Sequence, residues 1–306
     1  MMNSYGEKFR VTTYGESHGP AVGAVIDGCP AGVRLDMDAI ADALVRRRHG
    51  APRSEDDRVE WLSGLMDGIT LGTPLAFAIR NTDARPADYA QLEHLFRPGH
   101  ADYTYYKKYS IRDHRGGGRS SARETVARVV AGAVAAQLMS GVTIHTECIA
   151  GTDAVENDTV GGVVRCRVEG VPAGVGEPLF GKLSAALAAA MMGIPSAIGF
   201  EMGAGFAAAG MRGSEYIDRW SGSESGPLTL SNHCGGIQGG ISNGMPVEFA
   251  VAFHPVVSIP QPVECLGTDG HLETVAIGGR HDRYHLQRAA VVVEAMTALC
   301  LVNYML

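Results

Sequence analysis

The same string of turns is written twice in this chain. Asp27 to Val33 reads DGCPAGV and Glu169 to Val175 reads EGVPAGV, each after a β-rich run and before a helical one. The second echo is longer: Gly68-Ile69, Gly72, Pro74 and Phe77-Ala78 of GITLGTPLAFA have the spacing of Gly240-Ile241, Gly244, Pro246 and Phe249-Ala250 in GGISNGMPVEFA. Gly/Pro turns recur by chance, but here the order of elements recurs with them. Each half also ends in a long apolar segment, Ala122 to Met139 and about Gln287 to Tyr304. Such a duplication restricts the fold to two copies of one unit packed about a pseudo-two-fold axis. The expected halves are about 1–145 and 146–306, together forming one domain.

Within the halves, FRVTTYG, AVGAVIDG, VVRCRVEG and PVEFAVAFHP alternate as strands with one buried face do. Asp36 to Arg48 is an amphipathic helix with acids at its start and arginines at its end, as the helix dipole favours. Lys182 to Met192 reads as an Ala-rich helix, and the little-charged stretch from Val129 to Thr146 as a buried helix running into a strand. Hairpin-type turns outnumber regular βαβ alternation. The expected class is therefore α+β, with antiparallel sheets packed on central helices rather than a doubly wound parallel sheet.

With 306 residues, 45% of them hydrophobic, the chain can bury a large core. A net charge of −7 argues against a broad nucleic-acid surface, because phosphate backbones are held by an excess of Lys and Arg. The six cysteines form no C-x-x-C pair and no zinc-ligand spacing, so reduced thiols and a cytoplasmic location are expected. MMNSYGEKFR is charged where a secretory signal is apolar, and no uninterrupted apolar run suggests a membrane span.

Ten of the forty glycines cluster at 116–119, 234–244 and 277–280, where backbone can approach a ligand closely. In RDHRGGGRSSARE, Ser121 and Glu124 form a capping box that predicts a helix start just after three glycines, amid Arg112, Arg115, Arg119 and Arg123. Exposed amides, a helix N-terminus and guanidinium groups make a phosphate site; the plainer alternative is a Gly-rich turn with a solvated Arg face. Arg46, Arg47, Arg48 and Arg53 form a second basic set. GESHG places Ser17 and His18 in a turn, and RPGHADYTY places His100 in another, where histidine can move protons near neutral pH. GGRHDRYH offers Asp282 beside Arg280; His281 and His285 stand four apart, but no third ligand is evident and no metal is expected.

Taken in order, GESHG, RPGHADYTY, GGGRSSARET, GSE, CGGIQGGISNG and GRHD resemble the motifs of chorismate synthases from about Phe9 to Met305. The resemblance implies a β-α-β sandwich with helices between two antiparallel sheets, assembled as a homotetramer. It implies elimination of phosphate from 5-enolpyruvylshikimate 3-phosphate in an anti-1,4 sense, with reduced FMN required but no net redox change. By the same matching His18 protonates the departing phosphate, His100 sits by the flavin N1 edge, Asp282 assists at N5, and Ser17 and Ser121 support these transfers. FMN falls against Arg119, Ser120, Ser121, Ser196, Gly239, Arg280 and the run His254, Pro255, Val256, Val257 and Ser258. Arg47, Arg53 and Arg123 bind substrate or nucleotide phosphates, and NADPH is a reductant in some relatives.

Three departures stand out. The chain lacks several residues after Ser54, about thirty around Ile149 to Thr159, and a tail beyond Leu306 that relatives carry. His254 and Ile198 replace lysines, and the family's D-P-C-x-x-P-R-A run is Asp282 to Ala289 here. Two further readings stay open. One is a flavin-binding homologue without turnover; the other is a small-molecule kinase of the galactokinase and homoserine-kinase type, whose phosphate loop GGGRSSA loosely matches. The kinase reading leaves RPGHADYTY and CGGIQGGISNG without a purpose.

Overall fold

The computed structural model describes residues 3–51, 54–150, 156–222, 228–276 and 285–306. The first part contains β1 (Ser4–Tyr5), β2 (Arg10–Gly15), β3 (Ala21–Asp27), α1 (Met37–Arg48), β4 (Val59–Ser63) and β5 (Leu75–Arg80). A connection carrying β6 (Leu95–Phe96) and α2 (Asp102–Tyr109) leads into α3 (Thr125–Gln137). The second part repeats the plan with β7 (Thr143–Ala150), β8 (Gly162–Glu169), α4 (Leu183–Met192), β9 (Ala197–Met202) and β10 (Val247–Phe253). Its own connection holds β11 (Pro262–Gly267) and β12 (Leu272–Ala276) and leads into α5 (His285–Met305).

The two largest sheets are antiparallel, ordered β1-β2-β3-β5-β4 and β9-β10-β8-β7, and a smaller one is ordered β12-β11-β6. The order β2-β3-β5-β4 in one is the order β7-β8-β10-β9 in the other. Alternate residues turn inward: Val22, Ala24 and Ile26 of β3, Leu75, Phe77 and Ile79 of β5, Val164, Cys166 and Val168 of β8, and Val247, Phe249, Val251 and Phe253 of β10 are all buried. These faces close on the helices, α3 packing on β3, α5 on β7 and β8, and α4 on β9. One continuous apolar core takes residues from both sheets and from α1, α3, α4 and α5. At its centre α3 and α5 touch backbone to backbone: a Cβ on Gly132 would stand 2.5 Å from the Cα of Ala295. Although Leu286–Met305 is apolar and long enough to cross a membrane, most of it is buried inside this core.

The repeated turns make the same hydrogen bonds. Gly32 and Gly174 donate to the carbonyls of Thr70 and Ser242 at 2.8 and 2.9 Å, and Val33 and Val175 donate to the hydroxyls of those residues at 2.9 Å. Those hydroxyls donate in turn to Pro30 and Pro172 at 2.6 Å. Both hydroxyl residues are buried, so the two motifs recur because each locks its turn with one hydroxyl that accepts and donates.

Helix starts shift slightly from those expected. Asp36 caps α1 from outside, accepting from Ala39 at 3.0 Å. Ser121 does cap, but over a short 3₁₀ turn, Ala122–Glu124, that precedes α3. The reciprocal half of the predicted capping box is missing among the described residues, because Glu124 turns to Arg128 at 2.6 Å and Arg119 at 3.5 Å. All six cysteines are free thiols.

Candidate active site

The two connections that follow β5 and β10 meet over the ends of the central helices, where β11 pairs with both β12 and β6. Between them lies a cavity of about 450 Å³. Tyr89, Arg97, Gly99 and His100 wall it from the first connection, together with the glycine turn at Gly116 and Gly117 and the residues Ser120, Ser121 and Thr125. His254, Val256, Val257 and Ser258 face them from the second connection. Arg47 closes it from the end of α1, Ser196 from the turn after α4, and Arg288, Ala289 and Val292 from α5.

His100 is tied down by its neighbours. Its Nδ1 lies 3.0 Å from the Pro98 carbonyl, which can only accept, so Nδ1 carries the proton and the neutral ring keeps Nε2 as an acceptor. Burial first, and the Arg97 charge second, lower the imidazole below its ordinary value. Arg97 is itself locked on Asp102 by Nε and Nη2 at 2.8 and 3.0 Å, while its amide donates to the same carboxylate at 3.1 Å. Burial alone would raise that carboxyl; the hydrogen bonds and charge of Arg97 outweigh it and hold Asp102 below the usual carboxylate range. His254 repeats the arrangement, its Nδ1 2.6 Å from the Pro255 carbonyl.

Gly116, Gly117 and Gly118 all have positive φ, which only glycine adopts without strain, and this bends the turn around His18. The ring occupies the space of a Gly116 side chain: a Cβ there would lie 2.5 Å from His18 Nε2. His18 is buried, with its ring edge-on to Tyr89 at 4.8 Å between centroids. Ser17, also buried, donates its amide to the Gly118 carbonyl at 3.1 Å. His18 therefore stands in the wall of the cavity, behind residues that line it.

The structure gathers His100, Ser120, Ser121, Ser196, His254, Val256, Val257, Ser258 and Arg47 around one space, as the motifs suggested. Arg53, Arg280 and Asp282 lie outside the described residues. Pro255 and Gly239 are not among the cavity-lining residues. Arg119 turns to β2, donating to the Thr13 carbonyl at 2.9 Å and to its hydroxyl. Arg123 is buried in ion pairs with Glu55, at 2.6 Å, and Asp57. Arg112 grips the carbonyls of Leu92, Glu93 and Leu95, and Arg115 pairs with Asp113.

The four arginines of the glycine-turn segment thus brace the connection, and among the described residues the guanidinium groups at the cavity are those of Arg47, Arg97 and Arg288. Burial presses on the charges of Arg47 and Arg288, lowering both, with Asp57 opposing it for Arg47. Guanidinium groups keep their protons in proteins, so that pressure favours an anionic ligand. Arg97, Arg288, Tyr89 and Thr125 line the cavity although the motif reading assigned them no site role. Arg97 was visible within RPGHADYTY, whereas Arg288 needed the three-dimensional course of α5.

A concave site with convergent imidazoles, hydroxyls and guanidinium groups is that of an enzyme acting on a small anion. The chorismate synthase family model matches residues 9–155 and 147–306. A chorismate synthase of Porphyromonas gingivalis is 48% identical over 349 aligned positions, covering 99% of this chain and 95% of the relative. One of Opitutus terrae is 46% identical, covering 99% and 96%. A crystal structure of chorismate synthase superposes with a TM-score of 0.78 at 29% identity, over 98% of this chain and 92% of the other. The chain belongs to the chorismate synthase family, lyases of aromatic amino-acid biosynthesis that need reduced flavin. Alignments longer than the chain also show that relatives carry internal segments missing here.

Proposed function

We propose that the cavity between the two connections is the site where phosphate is eliminated from 5-enolpyruvylshikimate 3-phosphate, with reduced FMN bound beside the substrate. One observation carries this reading: His100, the glycine turn backed by His18, the His254–Ser258 segment, the buried Arg47 and the half-buried Arg288 converge on one space. The residues suit a flavin. Gly117 leaves a cradle that a Cβ would fill, within 4 Å of Ser120 Oγ, Arg97 and Ser121 Cβ. Ile194, Pro195, Val257 and Val292 offer apolar surface to a flat ring, and Ser120, Ser121 and Arg288 offer donors to a phosphate. Reduced FMN supplies an electron-rich ring that favours departure of phosphate without net redox change.

The chain's own groups do the rest. Arg47 and Arg288 hold anionic oxygens by charge-assisted hydrogen bonds. His18, at the wall behind Gly116, donates a proton to the leaving phosphate. His100, with Nδ1 committed to the Pro98 carbonyl and Nε2 left as an acceptor, would take a hydrogen bond from the flavin when it is bound. Ser17 and Ser121 relay protons, and Asp282 serves as the carboxylate base. Arg53 and Arg280 belong with the phosphate and flavin contacts, as does Gly239 if a second copy presents it. Arg123 and Arg119 act behind the cavity, through the groups they brace.

The enzyme works in the cytoplasm as a homotetramer, and exposed Phe180, Phe206, Trp220 and Leu230 leave apolar surface for contacts between copies. The test is anaerobic turnover with photoreduced FMN, following chorismate absorbance and phosphate together. Equal amounts of both, absent when the flavin stays oxidised, are expected. Tight FMN binding without product would favour the non-catalytic homologue. NADPH oxidation by the FMN-loaded protein in the dark distinguishes a built-in reductant supply from an external one.

A further inference from the structure

Asn81 follows β5 directly, and its whole side chain is committed to one turn and one ion pair. Nδ2 donates to the carbonyls of Glu16 and Gly19 at 3.0 and 2.9 Å, the residues that flank Ser17 and His18. Oδ1 accepts from Arg123 Nε at 3.0 Å. Two carbonyls and one guanidinium leave no ambiguity in the amide: its NH₂ faces the turn and its oxygen faces Arg123. The backbone reinforces this, with Asn81 N donating to Pro20 O and Gly19 N to Glu16 O, each at 3.1 Å. Beyond Asn81, Arg123 pairs with Glu55 and Asp57, and Asp57 lies 3.8 Å from cavity-lining Arg47. The partly buried chain Gly19–Asn81–Arg123–Asp57–Arg47 therefore joins the His18 turn to a cavity arginine.

We propose that Asn81 is a positioning residue for the reaction. It clamps the Glu16–Gly19 turn so that the Nε2 edge of His18 stays in the wall at Gly116, and through Arg123 and Asp57 it keeps that turn in register with Arg47. This rests on the role given to His18 above.

The test compares Asn81→Asp, which keeps an acceptor for Arg123 but removes both donors to the turn, with Asn81→Ala. Asn81→Ser, a smaller change, serves if the Ala variant does not fold. With reduced FMN, kcat falls ~10- to 100-fold in the Asp variant, the size of a displaced acid–base group, while KM stays within about threefold and FMN affinity holds. A merely structural role would not produce the second signature: in a His18→Ala background the same Asn81→Asp change costs less than about twofold in kcat, because both act through one group. Equal losses in the two backgrounds, or wild-type kcat in a folded Asn81→Asp protein, overturn the assignment to Asn81 alone. Wild-type turnover in His18→Ala overturns the reading of His18 and the positioning role with it.

Discussion

Replacing Gly116 by alanine puts a methyl group where the structure has an imidazole. The new Cβ would stand 2.4 Å from Cδ2 and 2.5 Å from Nε2 of His18. Comfortable contact begins at about 3.5 Å, so ring and methyl must part by about 1 Å. His18 is only 6% exposed and abuts Tyr89, which leaves it little free space to move into. Gly116 also has φ +62°, a left-handed conformation that costs an alanine about 1–2 kcal/mol. Overpacking adds about 1–3 kcal/mol, giving a stability loss of about 2–5 kcal/mol. A 1 Å displacement of a proton donor costs ~100-fold in rate, so Gly116→Ala should lower kcat by that order with reduced FMN. Gly141→Ala is the control: its φ is +79°, but a Cβ there meets nothing within 4 Å, so only the backbone cost applies. Denaturant unfolding and the anaerobic phosphate-release assay read the two quantities separately. If Gly116→Ala turns over as fast as Gly141→Ala, the placement of His18 behind Gly116 does not matter to catalysis and the proposed proton donor is wrong.

Gly132→Ala gains about 1 kcal/mol in helix propensity, yet its Cβ would stand 2.5 and 2.7 Å from the Cα and carbonyl oxygen of Ala295, so it is destabilising overall, and Ala295→Gly, which leaves both atoms in place, should not restore stability; thermal unfolding reads both. His100 has a folded pKa below its unfolded one, so the unfolded chain binds the extra proton and acidification costs stability. The wild type should lose stability relative to His100→Gln as pH falls below the ordinary histidine range near 6.5, and the two should respond alike above it; urea unfolding across pH checks this. Arg288→Lys keeps the charge but loses the planar fork, and should weaken binding of reduced FMN or of the substrate by ~10-fold or more, measured by titration.

Much of the scaffold could be read from the residues alone. The repeated turns were legible because a buried hydroxyl at Thr70 and at Ser242 imposes the same Gly/Pro pattern on both. Helix α1 was legible because Asp36 caps it in the way its sequence advertises. At the site, RPGHADYTY and GGGRSS located His100 and the cradle. The direction of the arginines was not legible: a turn with three left-handed glycines reverses side-chain direction within a few residues, so spacing cannot tell cavity from scaffold. Arg123 and Arg119 went to Glu55, Asp57, Thr13 and Glu124 for that reason, and of those partners only Glu124 is near in the chain. Arg288 was hidden differently, being a basic residue at the start of an apolar helix whose first turn happens to open on the cavity.

The meeting of the two connections over one cavity has a consequence for how such a chain can change over time. Copying a unit ordinarily frees one copy to drift, since the other keeps the original task. Here each of the two similarly ordered parts contributes one wall to a shared space, so neither is redundant. Tolerance to substitution should therefore divide by height above the helices rather than by half: permissive on the outward sheet faces, strict along 81–124 and 254–258 alike. A chain cut between its two halves would have no cavity in either piece until the pieces found each other.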